Sequence, residues 1–192
     1  MRIFIALDIP GEIRGRMLKF AERARTLAPE ARWARPEGLH VTLKFIGEVS
    51  DARLEGIKAA LAAVRATPFE VRFDNLGFFP TAKSPRVFWI GVDGGDALPR
   101  FAALIDSATQ TVGMAKEERA YSPHLTLARS GSGPAGPQQL KLLATLLHDE
   151  APPQFGTMTA REFFLYLSQP QRGGSKYTRL QRFQLESSPT LK

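Results

Sequence analysis

The stretch Gly38-Leu39-His40-Val41-Thr42-Leu43-Lys44-Phe45-Ile46-Gly47-Glu48-Val49 decides how this chain is read. Its centre, His40-Val41-Thr42-Leu43, is written a second time as His124-Leu125-Thr126-Leu127 inside SPHLTLAR (Ser122–Arg129). Side chains on a β-strand alternate faces, so His40 and Thr42 are expected on one face, with Lys44 beside them. Val41, Leu43 and Phe45 are then expected on the opposite, core-facing side. His124 and Thr126 repeat the arrangement, with Leu125 and Leu127 inward. The chain has three histidines, and two of them occupy the same setting. A two-histidine active site is the first expectation. The third, His148, beside Asp149 and Glu150, reads as an ordinary helix-end residue.

Working outward, Ile3, Ile5 and Leu7 alternate with Phe4, Ala6 and Asp8, which predicts a strand ended by Pro10-Gly11. Ile13, Met17, Leu18 and Phe20 recur at helical spacing and predict an amphipathic helix over 11–27. A short extended piece at Arg32-Trp33-Ala34 precedes the first tetrad strand, which Gly47 closes. Ser50 is placed to cap a helix running to Ala66, and Phe69, Val71 and Phe73 form another strand. A strand over 87–92, a helix over 98–112 and a strand over 121–128 then repeat the opening arrangement. The interval from Ile3 to His40 (40 − 3) and that from Val87 to His124 (124 − 87) are both 37 positions, which argues for an internal duplication. The loop SGSGPAGP (130–137), a helix over 138–148, a strand over 157–167, a mobile turn QPQRGGSK and a strand over 177–185 complete an α+β chain. Residues after Glu186 read as a frayed tail. No linker is long enough to separate independent domains, so residues 1–192 are expected to be one domain of two duplicated lobes.

Composition limits the chemistry. There is no cysteine, which excludes disulfides, thiolate metal sites and thiol nucleophiles and agrees with a cytoplasmic setting. The opening MRIFIALDIP has too short an apolar run for a signal peptide or a membrane span, so no membrane partner is expected. A net charge of +7 and a pI near 10.0 favour polyanionic partners, with nucleic acid first among them.

A reaction in which one group must lose a proton and another must gain one needs a base and an acid. Imidazole serves both roles near neutral pH. With a phosphate-bearing substrate, which the net charge favours, negative charge grows on the phosphate oxygens, so the Thr42 and Thr126 hydroxyls are candidate phosphate ligands. No metal or other cofactor is required, and the chain offers no third ligand at zinc spacing. Arg129 is a further candidate phosphate ligand, although simple alternation sets it opposite His124 unless the strand bends. Trp33, Phe79 and Tyr177 are candidates for stacking on a base, against the commoner reading as buried aromatics.

These stretches resemble the 2H phosphoesterases, and within them the bacterial RNA 2′,3′-cyclic phosphodiesterases, also called the 2′-5′ RNA ligase family. The resemblance rests on RIFIALDIP, RWARPEGLHVTLKFIGEV, FFPTAKSPRVFWIGV, SPHLTLAR and GGSKYTRLQRFQL. One departure is Leu167 in FFLYLSQP, where relatives often carry an acidic residue before the serine. The resemblance implies two pseudo-symmetric lobes, each an antiparallel sheet with outer helices, around a central cleft (a LigT-like fold). It implies metal-independent hydrolysis of RNA 2′,3′-cyclic phosphate ends to 2′-phosphomonoesters, with reversible 2′-5′ ligation as a side activity. By motif position, His40 corresponds to the proton donor and His124 to the proton acceptor. A monomer is expected. Two other readings stay open on the residues: a small nucleotide cyclic phosphate as substrate, and a nonenzymatic RNA-binding module.

Overall fold

The structure is a computed structural model that describes residues 1–131, 133, 135–171 and 174–186. Its elements run β1 (Arg2–Asp8), α1 (Gly11–Leu27), β2 (Arg32–Trp33), a 3-10 turn (Pro36–Gly38), β3 (His40–Glu48), α2 (Asp51–Ala62), β4 (Phe69–Thr81) and β5 (Ser84–Asp93). They continue with α3 (Ala97–Gln110), β6 (His124–Arg129), α4 (Ala135–Leu147), β7 (Gln154–Ala160), β8 (Glu162–Gln171) and β9 (Gly174–Gln184). The strands form two sheets, β3-β1-β8-β9 and β2-β6-β5-β4-β7. Every strand pair is antiparallel. The tetrad strands hold matching places, β3 beside β1 in the first sheet and β6 beside β5 in the second.

The helices cross over. Phe20 of α1, which leaves the first sheet after β1, packs edge-to-face on Phe155 of the second sheet at 5.5 Å. Phe101 of α3, which leaves the second sheet after β5, packs on Phe163 of the first at 5.3 Å. At Gly156 (φ 128°) an added Cβ would meet Ile13 and Arg16 of α1, and Arg16 donates to the Phe155 carbonyl at 2.9 Å. Each lobe thus borrows a helix that follows a strand of the other, and one continuous core of buried residues joins them.

Several boundaries differ from the sequence reading. The strand expected over 157–167 is two strands in different sheets, parted at Arg161; no glycine or proline in the sequence marks the crossing. β6 begins at His124 rather than Tyr121: Pro123 has no N–H to give a ladder. The helix expected over 138–148 starts at Ala135, and α2 stops at Ala62. Ser50 occupies the N-cap position with extended backbone, but its side chain makes no cap hydrogen bond. The loop over 130–137 and the QPQRGGSK turn include Ser132, Pro134, Arg172 and Gly173, and the tail begins at Ser187; these lie outside the described residues. Pairing in the β8–β9 hairpin runs out to Gln171 and Gly174. Among the described residues no helix is long and apolar enough to cross a membrane.

Candidate active site

Each tetrad is followed by a β-bulge at the same place. In β3, Thr42 pairs with Ala6 but Lys44 pairs with Ile5, which leaves Leu43 as the extra residue. In β6, Thr126 pairs with Trp89 and Ala128 with Phe88, which leaves Leu127 extra. A bulge flips the alternation beyond it. The six residues from each histidine accordingly share one burial sequence: histidine and threonine half-buried, the residues at tetrad positions two and four buried, the next buried and the sixth exposed.

Two expectations are thereby reversed. Phe45 does not face the core; it is 63% exposed and lies 5.9 Å from Phe4 on the His40 face. Lys44 does not join His40; it is buried at 6% exposure. Its ammonium donates to Asp106 Oδ1 at 2.5 Å, to Thr109 Oγ1 at 2.8 Å and to the Ala115 carbonyl at 2.8 Å. The same bulge in β6 carries Arg129 onto the His124 face, where simple alternation does not put it.

On the cleft face of the first sheet, His40 sits among aromatic rings: Phe4 at 4.7 Å, Tyr177 edge-on at 5.2 Å and Tyr166 at 6.1 Å. Phe4, Ala6, Phe164 and Tyr166 form a small buried cluster apart from the main core, with Tyr177 packed on it. Burial in this floor lowers the His40 pKa to about 4; Asp8 opposes the shift and the Arg14 charge adds to it. Neither His40 nitrogen has a hydrogen-bond partner among the described residues. Asp8, paired with His40 across the ladder, accepts from the Tyr166 hydroxyl and the Arg179 guanidinium. Burial and the Asp8 hydrogen bond push Tyr166 up to about 12, so it stays a neutral donor. The sequence reading missed this network. Its one visible signal was a carboxylate, Asp8, ending an apolar strand.

His124, on the second sheet, is held from the other side. Its Nδ1 lies 2.8 Å from the Ser122 carbonyl. A carbonyl only accepts, so Nδ1 carries the proton and the neutral ring keeps a free lone pair on Nε2. Phe79 meets the ring edge-on at 5.0 Å. Trp89 lies at 6.5 Å, its indole flat over Gly77, where an added Cβ would collide with the ring. Of the three aromatics expected to stack on a base, Phe79 and Tyr177 therefore flank the histidines. Trp33 instead packs on Phe88 and donates to the Ala28 carbonyl at 2.9 Å. His148 is exposed just past α4.

The two tetrads are joined. The Tyr121 hydroxyl donates to the Thr42 carbonyl at 2.9 Å, and the backbones of β3 and β6 approach within 8 Å of each other. Thr42 and Thr126 share their histidines' faces, and neither hydroxyl has a partner among the described residues.

The profile of the family described as "LigT like Phosphoesterase" matches residues 7–89 and again 90–177. This chain is a member of the LigT-like phosphoesterase family. As such it is 30% identical to the RNA 2′,3′-cyclic phosphodiesterase of Archaeoglobus fulgidus, over 96% of this chain and 100% of that protein. It is 31% identical to the Escherichia coli K12 protein of the same name, over 96% of each. This phosphoesterase also matches the crystal structure of E. coli LigT complexed with 3′-AMP at a TM-score of 0.78, 28% identity and coverage of 97% and 98%. TT0787 of Thermus thermophilus matches at 0.79, with 26% identity and coverage of 96% and 98%. The chain is an α+β enzyme of this class.

Proposed function

We propose that this phosphoesterase opens 2′,3′-cyclic phosphate ends of RNA to 2′-phosphomonoesters without a metal. The observation that carries the reading is the duplicated strand-and-bulge unit, which sets one imidazole and one unengaged threonine hydroxyl on the cleft face of each sheet. His124 Nε2 takes the proton of the attacking water as the water oxygen bonds to phosphorus. The bond from phosphorus to the ribose 3′ oxygen breaks, and His40 protonates that oxygen. Thr42 and Thr126 donate to the phosphoryl oxygens as charge builds there, each contributing on the order of 2–4 kcal/mol if they behave as other oxyanion donors do. With an RNA 5′-hydroxyl in place of water, the same steps join two ends through a 2′-5′ linkage, and their reversal returns the cyclic phosphate and the 5′-hydroxyl.

The acid role of His40 needs a charged ring, while burial keeps the free ring neutral near pH 7. The phosphate of the bound substrate supplies the missing counter-charge. The donor–acceptor assignment is supported by the His124 tautomer, which leaves Nε2 open. We read residues 1–192 as one domain of two duplicated lobes, supported by matched bulges and burial patterns, acting as a cytoplasmic monomer. The equivalent of Val87 by ladder position is Phe4, not Ile3, so the equal intervals overstate the alignment by one residue.

A second reading, a small nucleotide cyclic phosphate as substrate, draws support from E. coli LigT structures complexed with 3′-AMP, ATP and NADP+. Incubation with a short RNA ending in 2′,3′-cyclic phosphate, in the presence of EDTA, tests the main reading. A 2′-phosphate product is expected. A 3′-phosphate product, or turnover that EDTA abolishes, would overturn it.

A further inference from the structure

We propose that Asp8 is the positioning residue that makes His40, and not its twin His124, the acid: the Asp8 carboxylate, fixed at the ladder position facing His40, holds a proton on that ring once substrate is bound. The inference rests on the phosphodiesterase reading above and adds to it the residue that tells the two histidines apart.

The two lobes differ at one matched position. Along the ladders, Thr42 faces Ala6 and Thr126 faces Trp89, whereas His40 faces Asp8 and His124 faces Gly91. Directly opposed residues of an antiparallel pair share a face, with Cβ atoms about 4.5–5.5 Å apart. One imidazole therefore has a carboxylate for a neighbour, and the other has no side chain there at all. Gly91 has no room for one: an added Cβ would stand 2.5 Å from the Asp74 carbonyl oxygen. His124 is oriented instead by the Ser122 carbonyl, a neutral acceptor that suits a neutral ring. A carboxylate favours the imidazolium.

The Asp8 carboxylate is built into the sheet. Its side chain is 19% exposed, Tyr166 donates to one oxygen and Arg179 to the other. Arg179 Nε also donates to the Tyr166 hydroxyl oxygen at 3.2 Å, and its guanidinium lies 4.8 Å over the Phe164 ring. β8 and β9 thus lock the carboxylate that β1 presents to β3. The charged and titratable groups around His40 are Asp8 on β1, Arg14 on α1, Tyr166 on β8, Tyr177 and Arg179 on β9, and Tyr121, which reaches the Thr42 carbonyl. Asp8 is the one anion among these, and Arg14, anchored on the Ile9 carbonyl at 3.0 Å, acts against it. In the free protein burial outweighs the carboxylate; in the complex the carboxylate and the substrate phosphate act together.

The test follows His40 itself by nitrogen-15 NMR, with saturating nucleoside 2′-monophosphate, in wild type, Asp8→Asn and Arg179→Gln. Asp8→Asn should lower the His40 midpoint by about 1 pH unit, the low end of the effect of a nearby opposite charge because Arg179 shares the carboxylate. Arg179→Gln removes the opposing cation and should raise it. His124 should titrate alike in all three. In turnover at pH 7.5, Asp8→Asn should lower kcat about 5- to 10-fold on a short RNA ending in 2′,3′-cyclic phosphate. A cyclic substrate with sulfur as the departing atom should lose almost nothing, a difference that a merely structural role would not produce. An unmoved His40 midpoint, or an equal loss on both substrates, overturns the proposal while hydrolysis stands. Should Asp8→Asn fail to fold, the exposed Arg179→Gln decides alone: a midpoint that falls or stays overturns the proposal. Failure of wild type to open the RNA end overturns the hydrolase reading, and the role of Asp8 falls with it.

Discussion

A phosphate ligand should recharge His40. In the free protein, burial among Phe4, Tyr166 and Tyr177 holds the ring pKa near 4, so at pH 7 it has no proton to donate. A unit negative charge about 4 Å from the ring, at an effective dielectric of about 20, contributes about 4 kcal/mol, or about three powers of ten in the proton equilibrium. Bound phosphate therefore carries the His40 pKa to about 7, which makes the ring an acid poised for its task. Nitrogen-15 NMR of the imidazole rings reads this directly, titrated first in the free protein and then with saturating nucleoside 2′-monophosphate. The free His40 should stay neutral down to about pH 5 and take up its proton in the complex near neutrality. The same difference should separate two pH profiles: the alkaline limb of kcat, which reports the complex, should lie above that of kcat/KM, which reports the free enzyme. A His40 that titrates near 6.5 in both states would refute the desolvation argument. A ring that stays near 4 in the complex would refute its role as acid.

The low pKa also sets acid stability. Between pH 6.5 and 4 the unfolded chain binds a proton that folded His40 refuses, so stability should fall by about 2–3 kcal/mol as pH drops through that window. Denaturant titrations at pH 7 and 4.5 should show the fall in wild type and a smaller one in His40→Asn. Lys44→Met takes the ammonium from Asp106, which keeps its Gln110 and Glu117 N–H donors, and loss of a hydrogen bond to a charged group costs about 1.5–3 kcal/mol; Lys44→Met combined with Asp106→Leu should recover part of the lost denaturation midpoint. A cyclic substrate with sulfur as the departing atom hardly needs an acid. It should restore much of the activity of His40→Ala, whose loss on the natural substrate is about 10²–10⁴-fold, while leaving His124→Ala slow. Rescue of His124→Ala alone would reverse the two assignments.

What the sequence disclosed was periodic and local. β1, α1 and the histidine-bearing starts of β3 and β6 follow from alternation and helical spacing, and the tetrads mark themselves by repetition. What it concealed was set by partners far along the chain. In TMTAREFFLYL (157–167) nothing breaks the run, yet Ala160 pairs with Phe69 and Glu162 with Gln184 in different sheets. Asp8 reads as the polar end of a strand until Tyr166 and Arg179, from the far end of the chain, close on it.

The bulges are the most instructive omission, because they change which residues reach the substrate. Leu43 and Leu127 are ordinary leucines, and neither is a glycine that would announce a kink. A strand read by alternation alone gives Lys44 to the cleft and Phe45 to the core. One extra residue reverses both and exchanges a cation for an aromatic ring on the His40 face, next to Phe4. The burial of Lys44 is tolerable only because Asp106, Thr109 and Ala115, 62 to 71 positions away, are waiting for its ammonium. That clamp ties β3 to the end of α3 and to the segment that follows it. The same segment delivers Tyr121 to the Thr42 carbonyl and then His124 to its place. The bulge that exposes Phe45 and the ion pair that buries Lys44 are one structural event, and it links the first tetrad to the approach of the second.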